Sequence, residues 1–340
     1  MKDFRQKHNY VIITGGAGYI GSHTAVELWN AGYIPVIIDN FSNTTIDNIK
    51  GIESIINKKV RYFDIDCIDT DDVYNAFKSV QARDGKGIVG VIHFAAYKSV
   101  GESVIDPHRY YKNNIGSMES LMLVMKDLNV NNFIFSSSCS VYGNAEVLPV
   151  TEDTPFKPAE SPYAETKQLC ENILSKSKIN SVSLRYFNPI GSHESSLIGD
   201  RSMDKPSNLI PVICKSIING NQMTVHGDDY NTSDGTCVRD YIHVVDLAKS
   251  HVSALDYLLE NEGKHIYNIG TGDGVSVLEA IQSFEKVNEL KINYKIGHRR
   301  EGDVVEVYAD CSKVNKELNW AAEKTLECCM KDSWNWELNR

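Results

Sequence analysis

The stretch Val11–Leu28, VIITGGAGYIGSHTAVEL, joins a short β-branched run to an amphipathic segment through glycines at Gly15, Gly16, Gly18 and Gly21. The G-x-x-G-x-x-G spacing of Gly15, Gly18 and Gly21 permits a tight turn and lets backbone N–H groups approach a pyrophosphate at a helix start. Glycines alone are weak evidence, because turns use them for their own reasons. Here a strand before, a helix after and an acid closing the next strand supply the context that a dinucleotide loop requires. That acid is Asp39, 18 residues beyond Gly21. Its carboxylate can accept hydrogen bonds from an adenosine ribose and would repel a 2′-phosphate. No Arg or Lys follows it in Asn40–Asn43, so the loop predicts NAD rather than NADP.

Around the loop, Tyr10–Thr14, Pro35–Asp39, Val60–Asp64, Val89–Ala95, Phe133–Ser137 and Val182–Arg185 read as strands. Most are apolar on both faces, as parallel strands covered on each side are. Helical stretches fall between them at Ser22–Ala31, Thr45–Asn57, Asp69–Gln81, Asp106–Leu128 and Ser161–Ser177. This alternation predicts an α/β fold with a doubly wound parallel Rossmann sheet. After about Asn188 the rhythm breaks. Ser192–Ser207 reads as an irregular loop, followed by helices at Leu209–Ile218, Val244–Leu259 and Val277–Lys286 and strands at Val238–Ile242 and Ile266–Ile269. The expected division is a cofactor domain over 1–187, joined by parts of 238–270, and a smaller mixed α/β substrate-binding domain over most of 188–340. No Pro/Gly-rich linker separates the two, so they are expected to interleave.

With 35 Lys+Arg against 45 Asp+Glu, the 340-residue chain carries a formal net charge of −10, which excludes general nucleic-acid binding. A few local arginines can still hold a phosphate inside an acidic protein. Cys67, Cys139, Cys170, Cys214, Cys237, Cys311, Cys328 and Cys329 form no C-x-x-C pair, which favours a reduced, cytoplasmic protein with buried thiols. The opening MKDFRQKHNY is too polar for a signal peptide. No apolar run approaches the roughly 18–20 residues that span a bilayer.

The strand end at Phe133–Gly143, FIFSSSCSVYG, runs into a serine-rich segment, and strand ends on this side of a parallel sheet are where ligands sit. Some twenty residues on, SPYAETK places Tyr163 and Lys167 four apart on one face of a helix. With an ordinary pKa of about 10, only about 0.1% of a tyrosine is phenolate at pH 7. A useful base needs that value brought near 7, on the order of 4 kcal/mol in favour of the charged form. A neighbouring Lys⁺ together with a positive nicotinamide ring can supply it. Other polar residues read as structural. His93 is expected in the core, His243 and Asp246 at a capped helix start, and Asp69–Asp72 at a helix N-terminus. No ligand cluster points to a metal.

TGGAGYIGSH, FAAYKSVGES, SSSCSVYG, SPYAETK, LRYFNPIG and GTCVRDYIHVVDLA follow in order between about Val11 and Trp320. Together they resemble the extended short-chain dehydrogenase/reductases and, within them, the UDP-glucose 4-epimerase (UDP-galactose 4-epimerase) branch. The resemblance implies Tyr163 as catalytic base, Lys167 as its partner on the nicotinamide ribose, and Ser138 as the hydroxyl bonding the reacting sugar oxygen. It assigns NAD binding to Gly15, Gly18, Tyr19, Ile20, Gly21, Asp39, Asn40 and Asn43, with Asp66 and Cys67 beside the adenine. Phe94, Ala95, Lys98 and Asn113 would line the cofactor, and Lys98 would also face substrate. Asn188, Asn208, Leu209, Arg239, Arg300 and Asp303 match the UDP-sugar site, with His226 at a position often aromatic beside the uracil.

The implied reaction is NAD-dependent, reversible inversion at C4 of UDP-glucose and UDP-galactose through a 4-keto sugar. Val307 aligns where glucose-restricted relatives carry a bulky Tyr and relatives that also take N-acetylated sugars carry something smaller. Acceptance of UDP-GlcNAc and UDP-GalNAc therefore stays open. The rivals are another NAD-dependent nucleotide-sugar enzyme, a 4,6-dehydratase or decarboxylase, and a non-catalytic NAD-binding regulatory protein. A 4,6-dehydratase needs an acidic pair beside the active-site serine, but Cys139, Ser140 and Val141 follow Ser138. Asp106–Leu128 carries an apolar stripe of Tyr111, Ile115, Met118, Leu121, Met122 and Met125 that reads as core-facing. In the resembling family this helix and the one bearing the catalytic Tyr pack on their copies, which implies a homodimer.

Overall fold

Strand β1 (Tyr10–Thr14) sends Val11 and Ile13 to one face of the central sheet and Tyr10 and Ile12 to the other, and all four are buried. A strand apolar on both faces must lie inside a sheet covered on each side. The computed structural model describes residues 9–83, 86–204, 206–300 and 302–340. The polar opening stretch before Asn9 lies outside them. The chain continues through α1 (Tyr19–Asn30), β2 (Ile34–Asp39), α2 (Asp47–Ile56), β3 (Arg61–Asp64), α3 (Thr70–Gln81) and β4 (Ile88–His93). After β4 come α4 (Val100–Ile105), α5 (Pro107–Tyr110), α6 (Gly116–Asp127), β5 (Asn132–Ser138), α7 (Pro162–Lys176) and β6 (Asn180–Tyr186).

The second part holds β7 (Asn188–Ile190), α8 (Leu209–Ile218), β8 (Met223–His226), β9 (Val238–Arg239), β10 (Tyr241–His243), α9 (Val244–Glu260) and β11 (Lys264–Ile269). It closes with β12 (Val275–Ser276), α10 (Val277–Asn288), β13 (Tyr294–Gly297), β14 (Glu306–Val307), α11 (Ser312–Glu317) and α12 (Leu326–Asn339).

Seven strands form one parallel sheet in the order β11-β6-β5-β4-β1-β2-β3. The chain winds outward from β1 in one direction and restarts at β4 in the other, so the order reverses between β1 and β4. Ligands of such sheets bind outside the carboxyl ends of the strands at that reversal. One core layer packs α1, α2 and α9 residues on the sheet, and the other packs α3, α6 and α7 residues. The doubly wound Rossmann sheet is therefore present. Although it lies beyond Asn188, β11 pairs with β6 as the seventh strand. A separate apolar cluster built from α8, β8, α10 and α12 forms the smaller mixed unit.

Two sequence expectations need correction. Asp106–Leu128 is helical without a break from Pro107 to Asp127, as expected, but it is not α-helical throughout, because a π turn at Tyr111–Ile115 lies between α5 and α6. The wider turn lets the buried Asn114 side chain leave the helical pattern. Its Oδ1 accepts from Tyr97 N at 2.9 Å, and its Nδ2 donates to Tyr97 O at 3.1 Å and Thr166 Oγ1 at 3.2 Å. Val238–Ile242 is not one strand either, since β9 and β10 belong to different sheets. Between them the buried Asp240 carboxylate accepts from Thr271 N, Thr271 Oγ1, Gly272 N and Ala309 N, at 2.8 to 3.2 Å.

The residues read as structural behave so. His93 Nδ1 lies 2.7 Å from Thr14 Oγ1 inside the sheet. His243 caps α9 by accepting from Val245 N, and Asp246 accepts the backbone N–H groups of Glu323 and Lys324. Asp69 caps α3 through Asp71 N and Asp72 N. Among the described residues no helix is long and apolar enough to cross a membrane.

Candidate active site

Leaving β1, the chain must pass the backbone that leaves β4. Gly15 does so at φ +67°, donating to Ile38 O at 2.8 Å, and a Cβ on it would lie 2.7 Å from Ala95 N. A Cβ on Gly21 would lie 2.4 Å from Gly15 O, so the first turn of α1 can also close on the loop only without side chains. The result is a bare backbone cradle at a helix N-terminus, which fits the pyrophosphate of a dinucleotide. Asp39 ends β2 beside it, its Oδ2 accepting from Ala17 N at 3.0 Å and its Oδ1 from Phe41 N at 2.9 Å. Burial raises its pKa, and those two bonds oppose the rise. Each carboxylate oxygen keeps a further lone pair for a ribose hydroxyl.

A cavity of about 450 Å³ opens over the cradle. Gly15, Gly18, Tyr19, Ile20 and Gly21 line it from the loop, and Asp39, Asn40 and Asn43 from beyond β2. Asp66 and Cys67 join them after β3, Phe94, Ala95 and Lys98 after β4, and Asn113 from the π turn. Asn40 Nδ2 donates to Asp66 Oδ2 at 3.1 Å, closing the rim. Lys98 Nζ stands 3.7 Å from Asp200 Oδ2 on the loop that follows β7.

The same cavity reaches Ser138 at the end of β5 and Tyr163 and Lys167 on α7. Ser161 caps this helix by accepting from Ala164 N, with Pro162 in the first turn, so Tyr163 and Lys167 stack one turn apart facing β5. Lys167 Nζ donates to Ser136 O at 2.6 Å and lies 4.9 Å from the Phe135 ring centroid and 5.8 Å from that of Tyr163. Burial pushes the Tyr163 phenol up to about 12, against a hydrogen bond with Ser138 that lowers it. Burial also brings Lys167 down to about 8, against the nearby Cys170 and Glu171, which raise it. Burial thus disfavours both charged forms in the protein alone, and the lowering of the tyrosine is expected from Lys167 together with a positive nicotinamide ring.

A second cavity, of about 300 Å³, adjoins the first and shares Asn188 and Asn208 with it. Leu209, His226, Arg239, Arg300 and Asp303 line it. Arg300 Nη2 donates to Asp303 Oδ1 at 2.6 Å, and Arg239 Nη2 stands 3.9 Å from the same oxygen. His226 is exposed at the end of β8, its Nδ1 3.4 Å from His298 O. Val307 lines neither cavity, contrary to its expected place in the sugar pocket. Paired with Arg239 across β14 and β9, it is buried in an apolar cluster with Val141, Tyr142 and Phe187, and Phe187 is the member that reaches the cavity wall. Sequence reasoning missed Tyr97, Asp200, Ser333, Trp336 and Glu337, all of which line the larger cavity. Three of these come from α12, which no sequence pattern connects to a site built by β1.

The family model described as GDP-mannose 4,6 dehydratase matches residues 12–333. The chain is 44% identical over 335 residues to UDP-glucose 4-epimerase of Haemophilus influenzae, with 97% of each covered. A UDP-glucose 4-epimerase from Stenotrophomonas maltophila, crystallised with bound NAD and formylated UDP-arabinopyranose, superposes with a TM-score of 0.93 at 39% identity, over 97% of this chain and 98% of that one. The Bifidobacterium longum enzyme in complex with NAD⁺ and UDP gives 0.91 at 44% identity, over 97% and 98%. The cradle generates a direct test. Gly15→Val puts branched atoms against the Ala95 backbone at a positive φ, so the purified variant should carry little dinucleotide. Nucleotide released on denaturation measures this, and full occupancy would contradict the geometry.

Proposed function

The chain belongs to the UDP-glucose 4-epimerase family, and from that premise we propose which of its residues carry the NAD-dependent, reversible epimerisation at C4 of UDP-glucose and UDP-galactose. The observation that supports the reading best is that Ser138, Tyr163 and the glycine cradle face one cavity, which runs on into the arginine-lined one. Bound NAD supplies a positive ring beside Tyr163 and a site that takes up and gives back the C4 hydride on opposite faces of the sugar. Tyr163 accepts the O4 proton and later returns it. Ser138 holds O4 by hydrogen bond, and Lys167 holds the nicotinamide ribose while its charge favours the phenolate. Arg239 and Arg300 exchange their contacts with Asp303 for the diphosphate, and Asn188 and Asn208 stand where the two cavities meet. Anchoring at the diphosphate leaves the hexose free to turn between the two hydride transfers.

A dehydratase reading fits less well. Elimination of the 6-hydroxyl asks for carboxylates beside the active-site serine, and the turn after Ser138 carries none. The buried Glu171, which reaches Ser137 beside it, is already held by that serine and by Arg185. We assign NAD to the first 187 residues with β11, and the UDP-sugar mainly to the later part. Eight free cysteines support a cytoplasmic location. The dimer suits α6 and α7: the Tyr111–Glu165 hydrogen bond ties the π turn leading into α6 to α7, and Leu123 on α6 stays 57% exposed. UDP-GlcNAc and UDP-GalNAc are included as substrates because Phe187, which forms the cavity wall, is backed at Val307 by a small side chain rather than a bulky one.

Tyr163→Phe should lower kcat by about 10²–10⁴-fold while bound NAD is retained, and near-normal turnover would remove Tyr163 from its role. Incubation with UDP-GalNAc should yield UDP-GlcNAc on separation of the epimers; no product alongside active turnover of UDP-galactose would confine the enzyme to the plain hexoses. Mass in solution should correspond to two chains, and a monomer at working concentration would discard the dimer.

A further inference from the structure

Glu171 and Arg185 form a buried ion pair that lines neither cavity. Glu171 lies one turn beyond Lys167 on α7, and Arg185 lies on β6. The guanidinium meets the carboxylate side-on, Nε to Oε1 at 3.0 Å and Nη2 to Oε2 at 2.7 Å, with both side chains almost fully buried. Two charges at that depth lose much of their attraction to desolvation, and a well-packed apolar pair often stabilises a fold as well. Stability is therefore a poor account of this pair, and its other contacts give a better one.

On the carboxylate side, Glu171 Oε1 also accepts the Ser137 hydroxyl at 2.5 Å. Ser137 sits between Ser136, whose carbonyl takes Lys167 Nζ, and Ser138. On the guanidinium side, Nη1 donates to the Tyr142 hydroxyl at 2.9 Å and to Glu152 O at 3.2 Å. Tyr142 ends the short 3₁₀ turn Cys139–Tyr142 that begins immediately after Ser138, and its hydroxyl donates to Asn268 Oδ1 at 2.5 Å on β11. One ion pair thus ties the helix carrying Tyr163 and Lys167 to both the strand end and the turn that flank Ser138.

We infer that Glu171 and Arg185 are positioning residues for the C4 exchange, fixing the separation of Tyr163 and Lys167 from Ser138. A bidentate fork sets angle as well as distance. In a buried site, any slip of α7 along β5 leaves a charge unpaired, so the arrangement resists sliding more strongly than apolar packing would. Displacement of a reacting group by about 1 Å can cost about a hundredfold in rate. The inference rests on the roles given above to Ser138, Tyr163 and Lys167.

The test uses the NAD-loaded enzyme. The paired variant Glu171→Leu with Arg185→Met leaves no unpaired charge, so the fold is expected to survive. Its kcat with UDP-galactose should fall about a hundredfold, with KM within about threefold and NAD fully bound. A kcat within about twofold of the parent would overturn the assignment. Loss of NAD together with kcat would overturn it equally, since that is collapse of the site. If the paired variant does not fold, Glu171→Gln, which keeps the shape and a bond to Ser137, is read by the same split. Tyr163→Phe assayed in parallel separates the two claims: activity there would defeat the catalytic assignment whatever the pair does.

Discussion

The contact between the backbone leaving β1 and the backbone leaving β4 governs the rest of the molecule. The reversal of strand order between these neighbours sends their following segments apart and opens a cleft along the carboxyl edge of the sheet. At its root the two backbones touch, with no space for a Cβ on Gly15. Thr14 and His93, paired in register at the last step of β1 and β4, lock that root by a side-chain hydrogen bond. The cleft then runs from Asp39 and Cys67 at one end to Ser138 and Tyr163 at the other, and the strands of the central sheet that line it do so at their carboxyl ends.

Burial makes this cleft specific and also opposes the charges that its chemistry needs. Tyr163 is pushed up and Lys167 down by the same loss of water. The Lys167 ammonium stands 5.8 Å from the Tyr163 ring centroid and donates to Ser136 O, which fixes its position. In the function proposed above, the positive ring of bound NAD would join Lys167 in favouring the phenolate.

What could be read from the sequence follows the range of the forces involved. Runs apolar on both faces, the glycines before α1 and the four-residue step from Tyr163 to Lys167 are local patterns, and the structure carries them where local physics puts them. The π turn was not legible, because Asn114 is claimed by Tyr97, 17 residues away. The break at Asp240 is imposed by Thr271, Gly272 and Ala309, from 31 to 69 residues distant. Trp336 and Glu337 enter the cleft because α12 packs on α8 and α10, which no periodicity announces. Val307 was assigned by resemblance, and its side chain turns into an apolar cluster while Phe187 meets the cavity.

The net charge of −10 is hard to reconcile with a diphosphate ligand until the resident carboxylates are placed. Lys98 faces Asp200, and Arg239 and Arg300 both face Asp303. Each of these three cations therefore has an acidic partner within 4 Å, and Asp303 serves two. An unpaired guanidinium in a partly buried wall would be costly, and a shared carboxylate holds both in place at little mutual repulsion. In the function proposed above, a diphosphate would bring more negative charge than Asp303 and satisfy both forks at once, so exchange would favour the ligand. The released Asp303 carboxylate would then offer an acceptor beside the bound nucleotide, and the acidic background would become part of the recognition.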